Sequence, residues 1–327
     1  MRKVKVSVVC CEKEFITYSL IPTVLKYISN IEFIEEFRKA DLVICGPFSF
    51  FESLGIMNKL IFRSRLRTNQ EWAGKNIRNK YDPDKKQIWL HYSGESPSIG
   101  KNSSFLNSGC DFGIGHEILT YKEYFRMPLW YSSLGWEHEG IERTIGSFTR
   151  FGQPIKISKI MSGITNKEWS NRNFSCALVS SHTRSPRDVI LNSLSNFMPV
   201  ETYGLQGPGA YQFRSKTTKL DIYSRHALAL CPENQAYPGY VTEKVLDAFA
   251  GGCLAIGWYH TAQKDFLAES HINLFSGDED FSIDKISAVI DKKICLIRSE
   301  GIGPLLDQKP SLDALKYFLL NVISACR

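Results

Sequence analysis

Short apolar runs alternate with stretches of helical character along the whole chain, and this alternation limits the choice of fold more than any other feature. The predicted strands cover residues 4–10, 41–46, 87–92, 174–180, 227–230 and 253–258. The predicted helices fall within residues 16–28 and at 186–194, 241–250 and 312–323. Strands joined by helical crossovers form parallel sheets with helices on both faces. We therefore expect an α/β fold.

A polar stretch divides this pattern into two halves. Residues 135–173 are rich in Gly, Ser, Thr, Asn and charged residues, and their apolar pattern is weak. A chain of 327 residues suits two domains of ordinary size or one large one. We predict a Rossmann-like domain over residues 1–150 and a second one, with a C-terminal helix, over residues 151–327. Two such domains facing a central cleft would bind ligands at the carboxyl ends of their strands.

Composition argues against several classes of protein. Hydrophobic residues make up 43% of the chain and charged residues 23%, as in a globular protein. No stretch reaches the roughly 20 apolar residues of a spanning helix. The nine cysteines are scattered and include no C-x-x-C pair, which favours free thiols over a disulfide framework or a zinc site. We expect a cytoplasmic protein and leave open a peripheral association with the inner membrane.

The positive charge of the chain is modest. A net charge of +6 suits an anionic partner such as a nucleotide diphosphate or a membrane surface, and it does not require nucleic acid. Many basic residues lie between residues 59 and 86. That stretch is either a solvated face or a loop that meets an anionic acceptor or a membrane.

The most informative segment covers residues 231–244, with the sequence CPENQAYPGYVTEK. It follows a predicted strand and leads into a helix that we expect to begin near Thr242, a good N-cap residue. Such a strand–loop–helix directs backbone N–H groups and a positive dipole end towards an anion. Lys244 would be unfavourable there unless an anion binds, and Glu243 could accept hydrogen bonds from ribose or sugar hydroxyls. The alternative is an ordinary exposed Glu-Lys pair.

A second cation is expected at a helix start. Residues 179–187 follow a strand, and Pro186 suits the first turn of a helix that would place Arg187 near its N-terminus. An arginine fork can bind phosphate bidentately. Two such cations in one domain favour a nucleotide-diphosphate site, whereas His182 is interpreted as a loop residue.

A carboxylate follows the predicted strand at residues 87–92. Glu95 lies in a Gly/Ser/Pro loop, where α/β folds place functional groups. A carboxylate at such a position can act as a general base, and Glu95 is our candidate for that role. The alternative is a surface carboxylate without a role, in which case Glu117 is the next candidate base.

No metal or cofactor is predicted. The chain has no GxGxxG, P-loop, H-E-x-x-H or G-x-S-x-G pattern. The D-x-D pattern of metal-dependent transferases occurs at residues 82–84 and 278–280, and we interpret both as solvated turns.

Taken together, these stretches resemble the α-1,3/4-fucosyltransferase family, glycosyltransferase family 10, especially its short bacterial members. The most specific match is YVTEK at residues 240–244, with Glu233-Asn234 before it and VLDAF at 245–249 after it. Further matches lie at residues 94–95, 111–115, 124–130, 186–187 and 264–266. The resemblance is dense over residues 86–130 and 174–275 and thinner elsewhere.

The resemblance implies a GT-B fold and inverting, metal-independent transfer of fucose from GDP-fucose to O3 or O4 of GlcNAc or a related sugar in a glycan, such as a lipopolysaccharide. It implies Glu95 as the catalytic base. It also implies a set of GDP-fucose-binding residues, namely Arg187, Asn234, Tyr240, Val241, Thr242, Glu243 and Lys244.

Two departures from the family pattern lie in the second half of the chain. Pro232 stands where the family usually has an aromatic residue. Residues 257–260 read GWYH where the family usually has a Gly followed soon by Pro, and the resemblance implies that this segment lines the donor pocket. The alternatives are therefore a transferase of the same fold with another nucleotide sugar, and a non-catalytic protein that binds sugar nucleotides or glycans.

Overall fold

The computed structural model describes residues 2–11, 15–47, 82, 84, 86–95, 104–141, 154–180, 184–204, 219–262, 267–277 and 280–326. The chain divides into two compact units. The first comprises Met1–Leu129, His138–Ile141 and Ser311–Arg327, and the second comprises Trp130–Glu137 and Glu142–Pro310.

The first unit is built on a parallel sheet of six described strands in the order β2-β1-β3-β4-β5-β6. The strands are β1 (Val4–Val9), β2 (Ile31–Phe33), β3 (Leu42–Cys45), β4 (Ile88–Tyr92), β5 (Phe112–Gly115) and β6 (Tyr124–Arg126). Three described helices of this unit lie among these strands, namely α1 (Phe15–Tyr18), α2 (Leu20–Ile28) and α3 (Phe105–Ser108). All four residues of β3 are buried, as expected for a strand covered on both faces.

The second unit contains a parallel sheet of five described strands in the order β10-β9-β11-β12-β13. These strands are β9 (Asn173–Val179), β10 (Val200–Tyr203), β11 (His226–Pro232), β12 (Leu254–Trp258) and β13 (Ile272–Asn273). Two short strands, β7 (Leu134–Gly135) and β8 (Ile155–Lys156), pair separately. All seven residues of β11 are buried, as expected for the strand at the centre of this sheet.

Helices surround the second sheet. They are α4 (Ile157–Met161), α5 (Asn166–Ser170), α6 (Arg187–Phe197), α7 (Lys219–Tyr223), α8 (Lys244–Ala250) and α9 (Ile283–Glu300). The apolar residues of α8 are fully buried, because this short helix packs directly on β11 and β12. The predicted α/β fold with parallel sheets is confirmed.

The C-terminal helix α10 (Asp313–Ala325) corrects the predicted division of the chain. The sequence placed it in the second domain, but its contacts lie in the first unit. The Phe318 ring packs 6.0 Å from Phe112 and 5.5 Å from Phe125, measured between ring centroids. Lys316 Nζ lies 2.7 Å from Glu139 Oε2. The helix therefore completes the first unit, and residues 142–310 form most of the second.

In the part of the chain that the structure describes, no helix has the length and apolar character needed to cross a membrane.

Candidate active site

The predicted donor motif forms a loop between β11 and α8. We call residues 233–243 the motif loop. It closes through a turn in which Tyr240 N donates to Tyr237 O at 2.9 Å, and Gly239 adopts a φ of 79° that favours glycine. The side chains of Tyr240 and Val241 are buried, so they anchor the loop. Any contact of Val241 with a ligand would have to come from its backbone.

Glu233 holds the two ends of the motif loop together. Its side chain has no exposed surface, and its Oε1 accepts hydrogen bonds from Thr242 N at 2.7 Å and Thr242 Oγ1 at 2.8 Å. Its Oε2 accepts from Lys244 Nζ at 2.9 Å. A buried carboxylate needs such partners because an unpaired buried charge is costly. Glu233 therefore fixes both the loop and the first residue of α8.

Thr242 does not cap the helix as predicted. The helix begins at Lys244, and Glu243 occupies the N-cap position without a side-chain cap hydrogen bond. The Thr242 hydroxyl instead donates a hydrogen bond to the buried Glu233 carboxylate, which needs donors around its charge. The predicted strand–loop–helix is present, but its helix starts two residues later.

Lys244 and Arg187 meet at the end of β11. Lys244 Nζ donates to Pro232 O at 3.1 Å and to Asn234 Oδ1 at 3.2 Å. Arg187 is the first residue of α6, as predicted, and its Nη2 donates to the same Asn234 Oδ1 at 3.2 Å and to Pro232 O at 3.4 Å. Two cations from two helix starts thus share the same neutral acceptors.

Arg187 is anchored from a second side as well. Its Nη1 donates to Ser180 Oγ, just beyond β9, at 2.5 Å. Burial lowers the pKa of Arg187, while the nearby charge of Glu233 acts in the opposite direction. A guanidinium stays protonated under such a shift, so the site keeps two positive charges.

Glu243 pairs with a different cation, Lys219. Its Oε1 accepts a hydrogen bond from Lys219 Nζ at 3.2 Å, and the same ammonium lies 2.8 Å from Asp247 Oδ2. Burial alone would raise the pKa of Glu243, but the positive charges of Lys219 and Lys244 lower it. Glu243 is thus ionised and is not the ordinary exposed Glu-Lys partner of the alternative interpretation.

Glu95 lies in the first unit, three residues after β4 ends. Its backbone N donates to Ser93 Oγ at 3.1 Å, and Ser93 Oγ donates to Glu95 O at 3.2 Å. Ser93 is buried and Glu95 is partly exposed. The serine fixes the backbone of the loop at the carboxyl end of a central strand. The role of Glu95 as a base stays a prediction.

Glu117, the second candidate base, is occupied by structural contacts. Its side chain accepts hydrogen bonds from Ser104 Oγ at 2.7 Å and from Phe105 N at 2.9 Å, at the start of α3. Its own backbone N donates to Tyr124 OH at 2.9 Å. With both carboxylate oxygens engaged, Glu117 is a poorer candidate for the base than Glu95.

The D-x-D matches differ from the prediction in part. Asp82 is buried instead of solvated, because its carboxylate accepts from Lys86 N at 2.7 Å and Gln87 N at 3.2 Å. Asp84 is exposed and pairs with Lys86 at 3.1 Å. Asp280 accepts from Ser282 N at 3.0 Å. Among the described residues, no group of three or more His, Cys, Asp or Glu side chains could hold a metal ion.

The segment that departs from the family pattern, residues 257–260, lies where β12 ends. Trp258 and Tyr259 are buried, and the Tyr259 ring stacks on His271 at 5.8 Å between centroids, with a hydrogen bond between its hydroxyl and Nε2 of that imidazole. A cavity of about 250 Å³ opens beside this pair. His182, Asp278 and residues 264–266 lie outside the described residues, as does most of the basic stretch 59–86.

Sequence reasoning missed two charged residues of this site. Glu233 was noted only for its match to the family, although a Glu directly after an apolar strand must find a partner. No local sequence pattern indicated Lys219, because its two carboxylate partners, Glu243 and Asp247, lie 24 and 28 residues away along the chain.

Comparison with known proteins adds independent observations. No family model matches the chain. The curated alpha-(1,3)-fucosyltransferase FucT of Helicobacter pylori is 25% identical over 250 residues, which cover 71% of this chain and 50% of that protein. The chain spans about half the length of this relative.

The fold is similar to that of solved fucosyltransferases. A crystal structure of alpha1,3-fucosyltransferase superposes with a TM-score of 0.63 at 19% identity and covers 98% of this chain and 90% of that one. A crystal structure of alpha1,3-fucosyltransferase with GDP-fucose gives a TM-score of 0.62 at 19% identity and covers 99% and 91%. At such identities the likeness concerns the fold. The curated relative and these solved structures carry the name of the family that the sequence motifs resemble, that of the α-1,3/4-fucosyltransferases.

Proposed function

We propose that this chain is an inverting glycosyltransferase that moves fucose from GDP-fucose to a hydroxyl of a glycan acceptor and releases GDP. The observation that carries the proposal is the convergence of Arg187 and Lys244 on Asn234 Oδ1 and Pro232 O, at the end of a fully buried strand. A diphosphate that departs with an extra negative charge is best stabilised by preorganised cations.

The proposed reaction gives each of four charged residues a task. The acceptor hydroxyl loses its proton to Glu95 while its oxygen forms a bond to C1 of fucose. The bond between C1 and the diphosphate oxygen breaks, and the electron pair leaves with GDP. Arg187 and Lys244 stabilise that leaving group, and Glu243 accepts hydrogen bonds from the ribose.

Lys244 must give up part of its present contacts to do this. An ammonium has three N–H donors, and those of Lys244 serve Pro232, Glu233 and Asn234. Because Glu233 supplies the compensating negative charge, the lysine is held ready at the end of β11. We infer that a diphosphate oxygen replaces one of the two neutral acceptors.

The expected acceptor is O3 or O4 of GlcNAc or a related sugar, in an oligosaccharide or a lipopolysaccharide. A cytoplasmic location with peripheral membrane association suits a glycan built on a lipid. Co-sedimentation with anionic vesicles tests that association separately from activity.

The proposal is tested by calorimetry and by a transfer assay. GDP should bind more tightly than UDP or CMP, and a screen of glycan acceptors with GDP-fucose should give a fucosylated product. Tighter binding of UDP or CMP would overturn the choice of donor. Binding of GDP-fucose without turnover on any acceptor would favour a non-catalytic binding protein.

A second candidate is a transferase of the same fold that uses another nucleotide sugar. It is favoured by the bulky buried side chains of Trp258 and Tyr259 in a segment where the family pattern has a Gly followed soon by Pro. Hydrolysis assays with a panel of sugar nucleotides separate the two candidates.

A further inference from the structure

Lys219 is a buried cation that contacts the donor motif from outside it. It is the first residue of α7, and 9% of its side chain is exposed. Its ammonium lies 3.2 Å from Glu243 Oε1 and 2.8 Å from Asp247 Oδ2. These two carboxylates belong to the N-cap and first turn of α8, four residues apart, and therefore lie on one face of the helix.

The charges around Lys219 do not balance within the cluster. One ammonium serves two carboxylates, so the group carries one net negative charge. Burial by itself would lower the pKa of Lys219, but the negative charges of Asp247 and Glu243 raise it, so the lysine stays charged. Burial and the charge of Glu243 raise the pKa of Asp247 to about 6, whereas Lys219 and Lys244 lower that of Glu243.

The two carboxylates differ in their burial and in their distance from the ammonium of Lys219. Asp247 is the more deeply buried, with 14% of its side chain exposed, and it holds the ammonium at the shorter distance. Glu243 is 27% exposed, and Lys219 engages one of its oxygens. The Glu243 carboxylate is therefore fixed in direction while it can still be reached from solvent. Asp247 anchors Lys219, and Lys219 in turn orients Glu243.

We propose that Lys219 is a positioning residue for donor binding, which orients Glu243 to accept hydrogen bonds from the ribose hydroxyls of a guanosine diphosphate sugar. This inference rests on the proposed function. It gives the two lysines of the site different tasks, because Lys244 is held by Glu233 at the diphosphate end. Lys219 touches neither the sugar nor the diphosphate in this arrangement.

The test compares GDP with 2′,3′-dideoxy-GDP, which has no ribose hydroxyls, by calorimetry. We define the ribose ratio as the Kd of dideoxy-GDP divided by the Kd of GDP. A hydrogen bond to a charged group predicts a ribose ratio of about 10 or more for the wild type. Because both nucleotides carry the same diphosphate, a general loss of stability or a change in charge affects both affinities and leaves the ratio unchanged.

The decisive variant is Lys219→Met combined with Asp247→Asn, which conserves the net charge and leaves Glu243 without its anchor. We expect its ribose ratio to fall to about 1–2, as in Glu243→Ala, which has no acceptor for the ribose. Asp247→Asn alone, which keeps Lys219 on Glu243, should retain most of the wild-type ratio. Lys316→Met, which breaks a similar lysine–carboxylate pair in the first unit, should leave the ratio unchanged.

A double variant that keeps the wild-type ratio while Glu243→Ala loses it would overturn the role of Lys219. If the double variant fails to fold, Lys219→Gln combined with Asp247→Asn takes its place, since it keeps polar groups at both buried positions but has no cation to hold Glu243. An unchanged ratio in that variant would equally overturn the inference. A wild-type protein that does not bind GDP would instead refute the proposed function itself.

Discussion

Arg187 and Lys244, which begin two different helices, both lie 3.2 Å from the same oxygen atom, Oδ1 of Asn234. Two cations held this close repel each other, and the attraction of each for a shared acceptor offsets part of that repulsion. The amide oxygen of Asn234 offers two lone pairs without a net charge, so it holds the two cations together without cancelling their charge. The neutrality of residue 234 is therefore the property that matters for the proposed binding of a diphosphate.

Asn234→Asp should weaken the binding of GDP without lowering the stability of the protein. A carboxylate between the two cations would form ion pairs, so the melting temperature should stay the same or rise. The added negative charge should weaken GDP binding by at least about tenfold, because charges a few ångströms apart interact strongly at a partly buried site. Calorimetry and thermal unfolding measure the two effects. Asn234→Ala, which adds no charge, should weaken binding less, and equal GDP affinity in Asn234→Asp and wild type would contradict the prediction.

Glu95→Gln tests the general base. The amide keeps the shape of the loop but cannot accept a proton, and general-base catalysis contributes about 100- to 10,000-fold, so turnover should fall within that range. GDP affinity should stay nearly unchanged, since Glu95 belongs to the first unit and the nucleotide site to the second. Glu117→Gln is the control. It should lower stability, because Glu117 holds Ser104 and Phe105, and it should leave turnover of the folded protein largely intact.

Arg187→Ala and Lys244→Ala should behave in the opposite way to Glu95→Gln. Each removes a charged donor from the proposed diphosphate site, and hydrogen bonds to charged groups are worth about 1.5–3 kcal/mol. We therefore expect the Kd of GDP to rise roughly 10- to 100-fold, together with a loss of turnover. Calorimetry and the transfer assay measure both quantities. Unchanged GDP affinity in both variants would place the diphosphate elsewhere.

Chelation tests whether protein cations neutralise the leaving group. Because Arg187 and Lys244 converge at one point, the transfer activity should persist in excess EDTA. Activity is measured with and without the chelator, after dialysis against it. Complete loss that a divalent ion restores would show that a metal performs this task.

His116 should make the protein sensitive to mild acid. Burial, with a smaller contribution from the charge of Arg126, lowers its pKa to about 4 from an ordinary value near 6.5. As the pH falls, His116 therefore takes up a proton at a higher pH in the unfolded chain than in the folded one. The stability that this group contributes above pH 6.5 is lost as the pH falls towards 4. At about 1.4 kcal/mol per pH unit, the free energy of unfolding should drop by about 2 kcal/mol between pH 7 and pH 5 from this group alone. Denaturant unfolding of wild type and His116→Gln at both values isolates this contribution, and identical pH dependence of the two would contradict it.

Strands with a continuous apolar run were predicted from the sequence, and strands without such a run were missed. Leu42–Cys45 and His226–Pro232 are buried on both faces, so every residue in them is apolar or nearly so. Phe112–Gly115 contains two glycines and has no such run, yet it pairs in the sheet because Phe105 and Tyr124 fill the space that a Cβ at Gly113 would need. A strand that relies on close packing by glycine has no hydrophobic signature of its own.

The longest described helix was also missed, although its signal was present. Ile283–Glu300 carries many charges, which hide an apolar stripe of four buried isoleucines at positions 286, 290, 294 and 297. In the site, the two helix-start cations were predicted, because the local sequence after each strand determines where the next helix begins. Their shared acceptor Asn234 and the remote partner Lys219 depend on which strands are neighbours, and that information is absent from local spacing.

The placement of α10 with the first unit has a consequence for the order of events during synthesis. Phe318, which packs on Phe112 and Phe125, leaves the ribosome about 180 residues after Ile141, the last earlier residue of that unit. At about 5–20 residues per second, this interval lasts roughly 10 to 35 seconds. Throughout that time the aromatic surface on β5 and β6 has no covering helix. The first unit therefore cannot complete its packing until the whole of the second unit has been synthesised.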